Sequence, residues 1–266
     1  MSARLFPAVE RCALVGMVHL LPLPGSPGWG GDMGAVLDGA LRDAERLLEG
    51  GCDALLVENM GDLPYLRGHV LPETVAAMAL AAGAVVGLGA PVGLQLLAGA
   101  NREALGVAAA CGASFLRAEA FAYAHVADEG WLEACAGELL RARRGLGAQV
   151  AVWADVRKKH AAHAVTGDLS LADLARGSAF CGADALVITG SATGQPTHPA
   201  DLEAARQAGL PVVVGSGVSE DDAGQLAGMA DALIVGSWLK EGGDWRKPVD
   251  LRRVRRLREV MDAASG

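Results

Sequence analysis

Short apolar runs in this chain repeatedly end on a group able to do chemistry. Residues 13–19 finish on His19, residues 54–57 lead into Glu58 and Asn59, and residues 91–97 contain Gln95. A fourth run carries Arg117 and Glu119. A fifth ends on Asp155 and is followed by Arg157, Lys158, Lys159 and His160, and a sixth ends on Thr189 and Gly190. A carboxylate directly behind a buried apolar run loses water, which raises its pKa toward general-base use. Glu58 reads as such a base, or as a carboxylate neutralised by Arg117 or a lysine. Asp155 reads as an acid/base group, a metal ligand or the orienter of Lys159. His19 assists by shuttling a proton, ligates a metal, or forms a core hydrogen bond. Lys159 can hold a phosphate, stabilise developing negative charge or form a Schiff base. Asn59, Gln95, Arg117, Glu119, His160, Thr189 and Gly190 are the expected substrate contacts.

Two further runs, residues 212–214 and 232–235, each end in glycine and serine: Gly215-Ser216-Gly217, followed by Val218, and Gly236-Ser237. Glycine lets a backbone approach a ligand closely. Amides at such turns and at a following helix N-terminus can cradle an anion, usually a phosphate.

A repeat positions these groups. Gly51-Cys52-Asp53-Ala54-Leu55 recurs as Gly112-Ala113-Ser114-Phe115-Leu116, as Gly182-Ala183-Asp184-Ala185-Leu186 and as Met229-Ala230-Asp231-Ala232-Leu233. Each copy closes a helix and opens a strand. The other strands fall between them at 13–19, 91–97, 149–155 and 211–215. Continuous apolar runs suit a parallel sheet buried on both faces. Helices are expected at 36–48, from Pro72 onward, from an Asn101 N-cap onward, and at 131–144, 170–180, 199–207, 221–227 and 250–262. The last presents Arg252, Arg253, Arg255, Arg256 and Arg258 on a solvated face. Eight strands alternating with eight helices in 266 residues give the α/β class as one (β/α)8 barrel over the whole chain. In that fold chemistry gathers where strands end, and phosphate is commonly bound after strands 7 and 8.

The loop 20–32, with three prolines and four glycines, is a lid or a substrate wall, with Trp29 closing over a ring or packing on the rim. The second loop faces it with Asp62, Tyr65, Arg67 and His69. Residues 191–196 of the sixth loop offer more backbone donors.

A net charge of −8 argues against a nucleic-acid or anionic-membrane surface but not against one local anion pocket. Five cysteines without a C-x-x-C pair read as buried thiols in a reducing compartment. The uncharged stretch 75–94 is cut by glycines and a proline, so it reads as a helix and a strand rather than a membrane span. With no signal pattern at the start, the expected location is cytoplasmic. No motif requires a cofactor, and a homo-oligomer is left open.

The segments VGMVHLLPLPGSP at 15–27, VENMGDLP at 57–64, PETVAAM at 72–78, ADVRKKHA at 154–161, ALVITGSATGQP at 185–196, and VVGSGVSEDD with ALIVGSWLK resemble the BtpA/SgcQ family over nearly the whole chain. The resemblance implies a ribulose-phosphate-binding type of barrel. The family takes its name from a role in photosystem I biogenesis, with a member associated with thylakoid membranes. Strand 3 of the family typically reads V-N-V-L-R-N, where this chain has residues 93–101, GLQLLAGAN. Strand 4 typically continues R-V-N-V, where this chain has Arg117-Ala118-Glu119-Ala120, a carboxylate in place of an amide.

These readings converge on an enzyme acting on a small phosphorylated metabolite, a sugar or nucleoside phosphate, by isomerase, lyase or hydrolase chemistry. Two rivals stand beside it. One is a non-catalytic, membrane-peripheral assembly factor. The other is a metal-dependent hydrolase with a divalent ion on His19, Glu58, Asp155 and His160, although no H-x-H or H-E-x-x-H spacing supports that set.

Overall fold

Eight parallel strands close into a barrel: β1 (Ala13–His19), β2 (Ala54–Glu58), β3 (Val92–Gln95), β4 (Phe115–Ala118), β5 (Ala151–Asp155), β6 (Ala185–Ile188), β7 (Val212–Val214) and β8 (Ala232–Val235). The structure, a computed structural model, describes residues 5, 6, 9–158, 160–190 and 197–264. The helices α1 (Met33–Glu49), α2 (Pro72–Val86), α3 (Asn101–Cys111), α4 (Ala136–Gly145), α5 (Leu171–Phe180), α6 (Pro199–Arg206), α7 (Glu220–Ala227) and α8 (Leu251–Ala264) follow the strands in turn.

Alternation along each strand sends one set of side chains to the helices and the other into the barrel. Leu14, Leu55, Leu94, Leu116, Val152, Leu186, Val214 and Leu233 belong to the helix-facing core. Val15, Leu56, Phe115, Trp153, Val187, Val213 and Ile234 fill the interior. Phe115 and Trp153 stack at 3.8 Å between centroids. A Cβ on Gly93 would lie 2.1 Å from the Phe115 ring, so this inward position on β3 must be glycine. Phe6 meets both rings edge-on at 6.0 and 5.7 Å.

The repeated aspartates explain themselves at the strand starts. Asp53 accepts from the Leu14 amide at 2.8 Å, Asp184 from Val152 at 2.7 Å and Asp231 from Val212 at 2.8 Å. Each ties an even-numbered strand to an odd-numbered neighbour, so the repeat builds the frame at the end opposite the strand termini.

Several elements differ from the sequence expectation. Segment 131–144 is not one helix. Gly130–Leu132 pairs antiparallel with His125–Ala127, which pairs with Ala161–Ala162, and helix begins only at Ala136. Val126 lies opposite Trp131, an aromatic and β-branched cross-strand pair that outweighs the local helical pattern. Asn101 is not an N-cap. Ala100 holds that place, and the Asn101 amide donates to the Glu119 carbonyl at 2.7 Å. Arg258 is not on the solvated face of α8. It is buried and pairs with Asp53 at 3.3 Å and Asp262 at 2.7 Å.

The first loop is pinned to the second loop and to α2. Asp62 accepts from the Leu23 amide at 2.7 Å, and Thr74 donates to the Pro24 carbonyl at 2.7 Å. Trp29 packs partly buried against the core. All five cysteines are free thiols, and Cys12 and Cys52 are buried. No described helix is long and apolar enough to cross a membrane.

Candidate functional site

The inward alternation that fills the barrel with Val, Leu, Phe and Trp changes to polar side chains at the strand ends. His19 and Glu58 are register partners at the tips of β1 and β2, and Glu58 is the register partner of Gln95 on β3. His19 Nε2 lies 3.6 Å from Glu58 Oε2. Burial, and secondarily the Lys240 ammonium, pushes His19 down to about 3, so its imidazole is neutral. Burial pushes Glu58 up to about 7. Glu119 and Asp155 add to that effect and Arg117 opposes it.

Arg117 does not neutralise Glu58 directly. Its Nε lies 3.0 Å from Asp155 Oδ2 and its Nη2 2.9 Å from Asp155 Oδ1, while Nη1 donates to the Gly215 carbonyl at 3.1 Å. Asp155 is therefore held by a guanidinium fork across β4 and β5, and its reading as the orienter of Lys159 lies outside the described residues.

Glu119, just past β4, is also pushed up to about 7, chiefly by burial and against the pull of Lys158. Lys158 Nζ lies 3.4 Å from Glu119 Oε1 and also touches Glu129 Oε1. Burial works to deprotonate Lys158, but Glu119 and Glu129 outweigh it and raise its pKa. The ammonium is kept, which disfavours Schiff-base chemistry at this lysine.

Other expected contacts have defined places. Asn59 donates to Asp62 at 2.9 Å and to the Leu97 carbonyl at 3.3 Å, and accepts from the Leu97 amide at 2.7 Å. Its amide thus joins loops. Thr189 donates to the Arg157 carbonyl at 2.9 Å, and Gly190 is buried beside it. His160 is exposed at φ 59°. Lys159 and residues 191–196 lie outside the described residues. Among the described residues no group of three His, Cys, Asp or Glu side chains converges as metal ligands, and His19, Glu58, Asp155 and His160 form no such set.

The glycine corners open onto the same mouth. A Cβ on Gly236 would stand 2.9 Å from His19 Cε1, and one on Gly215 would stand 2.4 Å from Val187 Cγ1 and 3.2 Å from Arg117 Nη2. Gly217 has φ +77°, a left-handed conformation that glycine adopts without strain. Val218 is buried, and the Ser216 hydroxyl is buried without a partner. Among the described residues, the amides of Ser216, Gly217, Val218, Ser237 and Trp238 find no backbone acceptor. Ser237–Leu239 is a short 3-10 turn with its N-terminus at this corner. The α7 terminus differs from the expectation. Glu220, Asp221 and Asp222 occupy its first turn, and Asp222 accepts from the Ser219 amide at 2.7 Å. Acidic side chains thus already meet the positive end of α7.

Three residues around the mouth were given no role in the sequence reading, and a fourth, Tyr65, was named only as part of the second loop. Lys158 was passed over for its neighbour. Glu129 lies in the hairpin turn, next to the segment read as helix, with no local signal. Tyr65 donates to the Met60 carbonyl at 3.0 Å, and burial raises its pKa with Glu58 and Glu119 adding. Lys240 pairs with Asp43 at 2.6 Å, a contact across nearly the whole sequence.

Fold and mouth together define a (β/α)8-barrel protein with buried acid and base groups facing two glycine corners. The chain belongs to the BtpA family, whose model matches residues 10–263. The Photosystem I biogenesis protein BtpA of Synechocystis is 41% identical over 254 residues, covering 93% of this chain and 87% of that protein. An uncharacterized mitochondrial protein of Caenorhabditis elegans is 41% identical over 253 residues, covering 92% and 91%. Among solved structures, native KDPGal aligns with a TM-score of 0.56 at 15% identity, covering 98% of this chain and 97% of that one. N-(5'-phosphoribosyl)anthranilate isomerase from Pyrococcus furiosus aligns at 0.56 and 12% identity, covering 95% and 99%. At such identities the likeness is one of fold.

Proposed function

We propose that the mouth is an active site that moves a proton on a small phosphorylated metabolite. The single observation carrying this reading is the opposition across one mouth of Glu58 and Glu119, both raised to about 7, and the glycine corners at Gly215–Gly217 and Gly236. A carboxylate near neutrality can take a proton and return it at the same pH. Glu58 is the general base, and the neutral His19 beside it donates or accepts a hydrogen bond. Arg117 fixes Asp155 in place beside Glu58, and Glu119 and Asp155 add to the rise that burial causes at Glu58. Lys158 supplies a positive charge beside Glu119 and Glu129.

The phosphate lies against the Ser216, Gly217, Val218, Ser237 and Trp238 amides, with the Ser216 hydroxyl as a further donor. By its name, the P. furiosus neighbour is an isomerase of a phosphoribosyl compound, which supports this class without fixing the substrate. The chemistry is proton abstraction beside an oxygenated carbon, the step that isomerases and lyases share.

Isothermal titration with inorganic phosphate and a panel of sugar and nucleoside monophosphates tests the reading. Binding to the wild type, lost in Ser237→Asp and Gly217→Asp but kept in Glu58→Gln, is the expected result. A folded wild type that binds none of the panel overturns it and leaves an assembly role as the better account.

A further inference from the structure

On the β2–β4 side of the mouth, buried acceptors outnumber their donors. Lys158 engages one oxygen each of Glu119 and Glu129. The second oxygens, Glu119 Oε2 and Glu129 Oε2, are buried without a hydrogen-bond partner, and so is Gln95 Oε1. The Glu119 and Glu129 side chains are only 6% and 2% exposed, and Gln95 is 3% exposed. Gln95 lies on the interior face of β3. Its strand neighbours Val92 and Leu94 face the helices, while Gly93 faces Phe115 inside the barrel.

The charge balance points the same way. Among the described residues, the cations set against Glu58, Glu119, Glu129 and Asp155 are Arg117 and Lys158, while Lys240, near His19, is paired with Asp43. Arg117 is committed to Asp155 and the Gly215 carbonyl. Buried polar groups need partners, and buried carboxylates need charge as well as donors. A hydroxyl supplies one donor and no charge. A primary ammonium supplies three donors and a positive charge.

We infer that Gln95, Glu119 and Glu129 form a subsite for a primary ammonium group, so that the preferred ligand carries an amine at one end and a phosphate at the other. The amine end stands on these residues. The pairing with phosphate rests on the function proposed above.

Titration calorimetry with ω-aminoalkyl phosphates of increasing chain length, matched ω-hydroxyalkyl and alkyl phosphates, and alkyldiamines without phosphate tests the inference. At one chain length the aminoalkyl phosphate should bind about tenfold or more tightly than its hydroxyl counterpart, the worth of a charge-assisted hydrogen bond. Glu119→Gln, checked for folding by its thermal melt, should reduce that preference to about threefold or less. Equal binding of amino and hydroxy phosphates overturns the ammonium subsite and leaves the phosphate reading standing. An undiminished preference in Glu119→Gln overturns its placement. Diamine binding that depends on Glu119, with no phosphate bound, upholds the subsite and overturns the phosphate reading. No binding of any probe overturns both.

Discussion

Arg117 holds both oxygens of Asp155 from the neighbouring strand, at 3.0 Å from Nε to Oδ2 and 2.9 Å from Nη2 to Oδ1, with Asp155 buried and the Arg117 side chain largely so. This fork fixes the floor of the mouth. Removing one partner of a buried pair leaves the other charge uncompensated, which costs more than the pair itself contributes. Arg117→Ala is expected to lose about 3–5 kcal/mol of stability. Arg117→Ala with Asp155→Ala should lose clearly less than the two single losses added. Urea melts of the four proteins in the cycle measure this, and simple additivity would show that the fork is not coupled.

The raised Glu58 carboxyl makes stability depend on pH in a defined direction. With its folded pKa at about 7 and an ordinary value of 4.5, the folded state binds more protons than the unfolded state between those values. Stability therefore falls as pH rises through that window, by on the order of 3 kcal/mol for this one group. The charges facing it include Arg117, Glu119, Asp155 and Lys158, with neutral His19 alongside, and Glu119 contributes a fall of the same sign. Glu58→Gln should flatten the fall and match or exceed the wild type at pH 8. Melting temperatures from pH 5 to 8 check it, and a mutant profile parallel to the wild type would place the titration elsewhere.

Lys240 is buried with Asp43 at 2.6 Å and sets part of the field at His19. In Lys240→Met the His19 pKa should rise from about 3 yet stay below 6.5, because burial is the larger cause and remains. An NMR titration of the His19 ring reads this directly. An unmoved pKa would mean that the ammonium is screened from the ring. Asp43 keeps the Val249 amide at 2.9 Å, so the variant retains one anchor for this corner.

The family relation covers nearly the whole chain, yet one relative is an uncharacterized protein and another is named for photosystem I biogenesis. The mouth is consequently the better guide to chemistry than the family name.

The chain by itself determined the barrel and that His19, Glu58, Gln95, Arg117 and Asp155 stand toward its strand ends. The four-fold repeat marks the even strands, and strict alternation sends His19, Glu58, Gln95, Arg117 and Asp155 inward, because a side chain's face in a strand follows from its position alone. Tertiary structure decided the partners. Arg117 chose Asp155 over Glu58, Lys158 entered between Glu119 and Glu129, Arg258 turned under α8 to Asp53, and 130–132 became a strand because 125–127 lay beside it. Apart from that local hairpin, those choices depend on distances between segments far apart in sequence. Burial, not local pattern, then sets which of these groups hold their protons.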